Sequence, residues 1–210
     1  MKNKIVSLID VASVSAGYAF RGKIKEFPDG TIDVIQMKDI DETHRVDWTS
    51  LMKTRISENK SPNWLKKSDI LFLARGNNNH AVYLDVPSEQ TLCSPHFLRI
   101  HVRNESEVLP KFLAWQINQK PAQEYLSRVG EGNKVGNIRR SVLESIPIVI
   151  PTITNQSSII EFNKLVNNER DLLLQQINIH QLMMTSIAQQ LFDENQSMSE
   201  SKRMEDGYGN

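Results

Sequence analysis

The first 151 residues alternate short apolar runs with turn-forming residues, a pattern typical of a mixed α/β domain. The apolar runs are rich in β-branched or aromatic residues, and turn formers bound each of them. They predict strands at residues 31–36, 69–74, 81–86, 97–102 and 146–150. Apolar residues at helical spacing and the spacing of a capping box predict further helical segments. These lie at residues 108–118, 119–129 and 141–144.

A long segment without Pro or Gly follows this domain and predicts a single helix. From Thr154 to Phe192 the sequence is dense in Leu, Ile, Gln and Met. We therefore predict a globular domain at residues 1–152, a long helix at 153–192 and a disordered polar tail at 193–210. At about 1.5 Å per residue the helix would reach about 55–60 Å, which is more than a small domain needs.

Heptad spacing in the C-terminal half of this helix places several side chains on one seam, as in a coiled coil. The seam residues are Leu173, Ile177, His180, Met184, Ile187 and Leu191. An apolar seam on a long helix favours pairing with a second copy of the chain, so we expect a homodimer. The alternative is an amphipathic helix that folds back on its own domain.

Composition excludes some classes of protein and leaves others open. The chain carries 25 Lys and Arg and 25 Asp and Glu, so its zero net charge gives no overall attraction to nucleic acid. No apolar stretch approaches the roughly 20 residues of a membrane-spanning helix. The single cysteine, Cys93, cannot form an internal disulfide. We expect a cytoplasmic protein without a membrane segment.

Three segments offer side chains suited to nucleic acid despite the zero net charge. Cations neutralise phosphates, whereas Asn and Arg pair with the edges of adenine and guanine. Two of the segments are basic and contain glycines, and the segment between them is an amide-rich loop that joins two predicted strands. The candidate DNA-binding residues are Arg21, Lys23 and Lys25, then Arg75, Asn77, Asn78, Asn79 and His80, then Lys134 and Arg139.

Each of these segments also has a purely structural interpretation. Gly76 and the asparagines after it are typical of a hairpin turn between two strands. The cations around Gly22 suit any solvated surface, and the glycines at residues 130–140 are equally typical of a plain connector. A hairpin loop can turn the chain and also bind a base, so the two interpretations of the amide-rich loop are compatible.

Signals for catalysis are weak. Asp29 with Glu58 and Lys60 imitates the carboxylate and lysine pattern of Mg²⁺-dependent nucleases, but these residues lie in turn-like or polar stretches instead of apolar strands. Cys93 and His96 are neighbours in sequence, yet a buried structural cysteine is the simpler interpretation. The histidines lack zinc-ligand spacing, so we predict no metal, no cofactor and no catalytic residue.

In chain order, these motifs resemble one target-recognition repeat of the specificity subunits of type I restriction-modification systems. The matching segments include Ala16-Gly17-Tyr18-Ala19-Phe20-Arg21-Gly22, Ala74-Arg75-Gly76, Gly132-Asn133-Lys134-Val135-Gly136-Asn137-Ile138 and Leu143-Glu144-Ser145-Ile146-Pro147-Ile148. The resemblance spans about residues 5–192. Ser68 departs from the family pattern, in which Gly is common before the aspartate.

The resemblance implies a DNA-recognition domain and a helix that packs antiparallel against its counterpart. Such subunits usually hold two repeats and this chain holds one, so a homodimer would restore the pair on a split site. The implied partners are double-stranded DNA and the modification (methyltransferase) and restriction subunits. Our hypothesis is a noncatalytic subunit for sequence-specific DNA recognition. The alternatives are a coiled-coil adaptor that binds only proteins and a Mg²⁺-dependent nuclease.

Overall fold

Strands predominate before residue 103, and helices predominate after it. A computed structural model describes residues 4–56, 62–76, 78–130 and 137–206, with side chains as far as residue 193. The strands are β1 (Lys4–Ser7), β2 (Ala12–Ala16), β3 (Ile32–Ile35), β4 (Met52–Thr54), β5 (Ile70–Leu73), β6 (Ala81–Tyr83), β7 (Thr91–Cys93), β8 (Phe97–Val102) and β9 (Pro147–Ile150). The helices are α1 (Leu8–Val11), α2 (Pro110–Ile117), α3 (Lys120–Gly130), α4 (Arg140–Glu144) and α5 (Ile153–Asp206), with a 3₁₀ turn at Met37–Asp39.

An antiparallel sheet with the strand order β2-β8-β5-β6 contains the most apolar strand, β5. All four residues of β5 are buried, because the sheet is covered on both faces. Ile70 and Phe72 join a first apolar cluster that includes Leu113 of α2. Leu71 and Leu73 join a second cluster. Successive residues of a strand point to opposite faces, so burial on both faces requires a continuous apolar run.

A smaller sheet contributes to the second cluster and to a third one. β3 pairs antiparallel with β4 and parallel with β7. Ile35 belongs to the second cluster, whereas Val34 belongs to a third one with aromatic residues of the loop before β3. A Cβ built on Gly17 in that loop would lie 2.2 Å from the carbonyl oxygen of Ser94, so only glycine fits there. β1 pairs separately with β9, antiparallel.

Most predicted elements are present, and four short strands are additional. The strand predicted at 97–102 coincides with β8, and the other four predicted strands overlap β3, β5, β6 and β9. The predicted helical segments correspond to α2, α3 and α4. Sequence patterns missed β1, β2, β4 and β7, because these strands are short and β2 consists of small residues, Ala-Ser-Val-Ser-Ala.

α5 is the long helix predicted from the segment without Pro or Gly, and it continues to Asp206 instead of ending at residue 192. The helix thus extends into the segment 193–210, for which a disordered tail was predicted, because no helix breaker occurs before Gly207. The chain divides into two compact units, Met1–Glu161 and Phe162–Asn210. No helix in the described ranges is long and apolar enough to cross a membrane.

Buried Gln156 ties the first turn of α5 to the domain. Its Oε1 accepts a hydrogen bond from the Leu109 N–H at 2.8 Å. Its Nε2 donates to the carbonyl oxygens of Glu107 and Pro151, both at 2.9 Å. A buried amide is tolerated only when such partners satisfy it, so this glutamine specifies where the helix begins.

Candidate nucleic-acid interface

A groove lined by cations lies beside β4. Its volume is about 350 Å³, and its lining includes Arg21, Lys23, Lys25 and Arg55, all of which are exposed. We call these four residues the basic groove. The Thr54 hydroxyl donates to the carbonyl oxygen of Lys25 at 2.7 Å and holds the loop before β3 against β4. The three cations predicted in the first segment therefore share one surface.

Aromatic side chains explain why the cations of this loop face solvent. Tyr18 and Phe20 meet edge to face with ring centroids 4.8 Å apart, and both pack against the third apolar cluster. Phe27 lies under the guanidinium of Arg55, 5.6 Å from its ring centroid, and Arg55 also pairs with Asp29. Sequence analysis missed Arg55, because a single cation after a short strand gives no local signal.

The amide-rich segment is a β-hairpin loop, as its structural interpretation predicted. β5 and β6 pair antiparallel, and the Leu73 N–H donates to the carbonyl oxygen of His80 at 2.8 Å. Asn118, at the end of α2, exchanges two hydrogen bonds with the backbone of Ala81, at 2.7 and 2.8 Å. The loop therefore projects from a sheet edge that is pinned to a helix.

Two other loops meet the hairpin loop. The Ile138 N–H donates to the carbonyl oxygen of Ala74 at 2.8 Å, which brings the segment before α4 against the hairpin. The ring of His44 stacks on His80, with centroids 4.2 Å apart and planes 13° apart, which adds the loop after the 3₁₀ turn. We give the name loop platform to the exposed or half-exposed residues His44, Arg75, Asn78 and Arg139.

The predicted residues of the hairpin loop differ in their contacts. Arg75 and Asn78 are exposed. Asn79 is half-buried, and its Nδ2 donates to the carbonyl oxygen of Leu73 at 2.9 Å, a contact that shapes the turn. Asn77 was also predicted as a DNA-binding residue but lies outside the described residues.

His80 is buried, unlike its exposed neighbour Asn78. Its Nδ1 lies 3.0 Å from the carbonyl oxygen of Asn78. Burial, together with the nearby ring of His44, lowers the pKa of His80, so the ring is neutral at neutral pH. The structure thus separates His80 from the side chains of the loop that reach solvent.

The basic groove and the loop platform lie at different ends of β3. The groove involves the loop that precedes this strand, whereas His44 follows it in sequence, and Met37 after the strand approaches Gly76 of the hairpin. The structure therefore brings the second and third predicted segments together and leaves the first apart. Lys134 of the third segment lies outside the described residues.

A buried ion pair stabilises the start of the hairpin. Asp69, just before β5, is fully buried, and Arg99 of β8 is 7% exposed. Arg99 Nε lies 2.7 Å from Asp69 Oδ2, and His101 Nδ1 lies 2.9 Å from Asp69 Oδ1. Sequence analysis missed this pair. The available signal was an arginine in a mostly apolar strand, Phe-Leu-Arg-Ile-His-Val, because a buried arginine needs a buried partner.

The side chains considered for catalysis have structural contacts. Cys93 is buried as predicted, and burial raises the pKa of its thiol to about 12. Asp29 pairs with Arg55, while Glu58 and Lys60 lie outside the described residues. Across the parts of the chain that the structure describes, no three His, Cys, Asp or Glu side chains come close enough to hold a metal ion.

Within the second unit, α5 exposes its predicted seam. Between 48% and 66% of Leu173, Ile177, Met184, Ile187 and Leu191 is exposed, and His180 is exposed as well. Such a row of exposed apolar side chains on a monomer marks an interaction surface.

Comparisons with known proteins place the fold. The family model for the type I restriction modification DNA specificity domain matches residues 2–180. The HsdS subunit from Thermoanaerobacter tengcongensis superposes with a TM-score of 0.55 and 14% identity over 80% of this chain and 37% of that one. The type I restriction-modification S subunit from M. genitalium superposes with a TM-score of 0.51 and 13% identity over 85% of this chain and 42% of that one.

A third similar structure comes from work on complex assembly and conformational transition of the type I R-M system. Its TM-score is 0.59 at 15% identity, over 81% of this chain and 44% of that one. The chain thus spans less than half the length of these solved proteins. At this identity the likeness shows a shared fold. Among curated proteins, no sequence matches this chain.

Proposed function

Because the chain belongs to the family of type I restriction modification DNA specificity domains, we propose that it recognises double-stranded DNA by sequence and has no catalytic activity of its own. The observation that carries this proposal is the loop platform, where two loops present Arg75, Asn78 and Arg139 together at one sheet edge. These side chains suit the edges of guanine and adenine in the major groove.

The basic groove supplies the second half of the proposed interface. Phosphate contacts set the position of a protein on the duplex, and base contacts specify the sequence. The groove presents Arg21, Lys23, Lys25 and Arg55 on one surface, and this local charge is present although the chain as a whole is neutral. We assign phosphate binding to the groove and base recognition to the loop platform.

The exposed seam of α5 supports pairing of two copies of the chain. A homodimer would bring two recognition domains onto a split site and would match the extent of the solved proteins, of which one chain spans less than half. We propose that the pair positions modification and restriction subunits on DNA. One similar structure was described in the context of type I complex assembly.

Salt dependence tests the basic groove. Each lost phosphate contact should lower the slope of log K against log salt by about 0.9, for specific and random duplexes alike. We expect this for Arg21→Ala and Lys23→Ala in fluorescence titrations, with sequence preference unchanged. Lys120→Ala on α3, outside the groove, is the control and should keep the wild-type slope. Wild-type slopes for the groove variants would remove the groove from the interface.

Selection from random duplexes, with a modification subunit present, tests base recognition. Asn78→Ala should cost roughly 1–3 kcal/mol on the selected site and little on a scrambled one. Asn79→Ala should lower thermal stability and keep the preference, because its amide shapes the turn. Equal losses of Asn78→Ala on both DNAs would exclude this residue as a base contact. Failure to select any motif would leave α5 as a helix that binds only proteins.

Light scattering tests the homodimer. Replacing Ile187 and Leu191 by Glu should give monomers, because it places charges on the apolar seam. Ser186→Glu and Gln190→Glu lie at other positions of the same turns and should leave the dimer intact. A wild-type chain that is monomeric at micromolar concentration would contradict the proposal. Incubation of the chain with Mg²⁺ and DNA tests the noncatalytic assignment, and cleavage that is lost in Asp29→Ala would overturn it.

A further inference from the structure

The turn at residues 41–45 holds a histidine in a left-handed backbone conformation. His44 has φ of 60°, which disfavours any residue with a Cβ. Asp41 Oδ1 accepts hydrogen bonds from the Thr43 N–H and hydroxyl, both at 2.8 Å, and from the Arg45 N–H at 2.9 Å. Burial alone would raise the pKa of Asp41, but these hydrogen bonds lower it, so the carboxylate that holds the turn is ionised.

His44 adopts this backbone conformation although glycine or asparagine would adopt it at lower cost. The surrounding contacts impose it, since the His44 N–H also donates to the carbonyl oxygen of Asp41 at 3.0 Å. Strained positions of this kind concentrate at functional sites, where the strain holds a side chain in place. The side chain held here is the half-exposed imidazole of the loop platform.

His80 is the ring on which His44 stacks, and it is 8% exposed. A carbonyl oxygen only accepts, so the Nδ1 that faces Asn78 carries the proton of the neutral ring. The buried Nε2 then has no hydrogen-bond partner in the described residues, which costs stability. His80 contacts His44 through the flat face of its ring, and neither nitrogen of His80 takes part in that contact.

We propose that His44 recognises a purine edge in the major groove and that His80 is a positioning residue that holds the His44 ring. The inference rests on the proposed function. An imidazole that stacks through one face has its nitrogens along the ring edge, and the N–H of the neutral ring is a hydrogen-bond donor. In the major groove, N7 or O6 of a purine would accept that hydrogen bond. In this proposal His44 makes the base contact that was predicted for His80 from the sequence.

Variants of His44 separate base contact from turn geometry. Glycine adopts the left-handed conformation without strain, so His44→Gly should keep or raise the melting temperature while preference at one base pair falls roughly 5- to 150-fold. Asparagine also tolerates this conformation and pairs with adenine, so His44→Asn should shift the preferred base pair. Glu42→Ala in the same turn is the control and should alter affinity for all sequences alike.

Variants of His80 test the positioning role. His80→Phe keeps a flat ring for stacking and should retain the wild-type preference, although it removes both nitrogens. His80→Ala removes the platform for His44 and should reduce preference at the same base pair as His44→Gly. If His80 instead binds a base directly, the His80→Phe and His80→Ala variants will lose their preference for that base pair equally.

Selection from random duplexes gives a decision in each case. A wild-type chain that selects no motif contradicts the proposed function itself. A wild-type chain that selects a motif, together with a His44→Gly variant that selects the same motif at the same strength, contradicts only the role of His44. Loss of preference at one base pair in His44→Gly and in His80→Ala, with retention in His80→Phe, supports both assignments.

Discussion

Replacing Arg99 by methionine should destabilise the domain by several kcal/mol, because the Asp69 carboxylate would stay buried without its main partner. Asp69 is fully buried, and Arg99 Nη2 donates to its Oδ1 at 3.2 Å in addition to the 2.7 Å contact of Nε with Oδ2. The remaining partners are the Lys66 N–H at 2.6 Å and the ring of His101, whose side chain is 46% exposed.

The size of the effect follows from this geometry. Removing one partner of a buried ion pair costs about 3–5 kcal/mol, and the two remaining partners of Asp69 favour the lower end, about 3 kcal/mol. Domains are stable by only about 5–15 kcal/mol, so this is a large fraction. At about 2–4 °C per kcal/mol the melting temperature should fall by about 6–12 °C. Methionine keeps the length and apolar stem of the side chain.

Urea and thermal unfolding at one fixed protein concentration measure this loss, because association would otherwise shift the apparent stability. Lys53→Met is the control: Lys53 pairs with Asp33 at 2.9 Å, but its side chain is 51% exposed, and such pairs contribute at most about 1 kcal/mol. The double variant Asp69→Asn with Arg99→Met should recover much of the loss, since no buried charge remains. A cost below about 1 kcal/mol for Arg99→Met alone would refute the reasoning.

Three further predictions concern single residues of the domain. Ser68 has φ of 72°, so Ser68→Gly should remove backbone strain of about 1–2 kcal/mol. The greater freedom of glycine in the unfolded chain offsets about 0.4–1 kcal/mol of that gain. The melting temperature should therefore rise slightly, and a lower melting temperature would contradict this. The pKa of His80 in the folded protein lies below its usual 6.5, so the unfolded state binds more protons and the free energy of unfolding falls as the pH drops below 6.5. In His80→Phe, the free energy of unfolding measured in urea should therefore depend less on pH between about pH 7.5 and pH 5.5. The same pH dependence in the wild-type protein and in His80→Phe would contradict the burial of His80. Because the pKa of Cys93 is raised to about 12, a thiol reagent should label it only after unfolding, and rapid labelling of the native protein would show the thiol to be accessible.

Local patterns were sufficient for the elements that local physics determines. The run at β5 is apolar at every position because both faces of the sheet are covered, and α5 is long because no Gly or Pro interrupts it. Gly76 and the asparagines after it predicted the hairpin, since a tight reversal needs residues that tolerate left-handed conformations. The resemblance led us to expect Gly at position 68, and the left-handed backbone conformation of Ser68 gives the physical reason.

The contacts that assemble the candidate site are long-range, and periodicity carries no information about them. Residues distant in sequence meet because strand order and register bring them together, as in the pairing of Asp69 with Arg99 and of His44 with His80. The amide-rich loop shows the difference most directly. Its composition alone determined that the chain turns there. Only the packing of His80 under His44, while Asn78 stays in solvent, decided which side chains of the loop can reach a ligand.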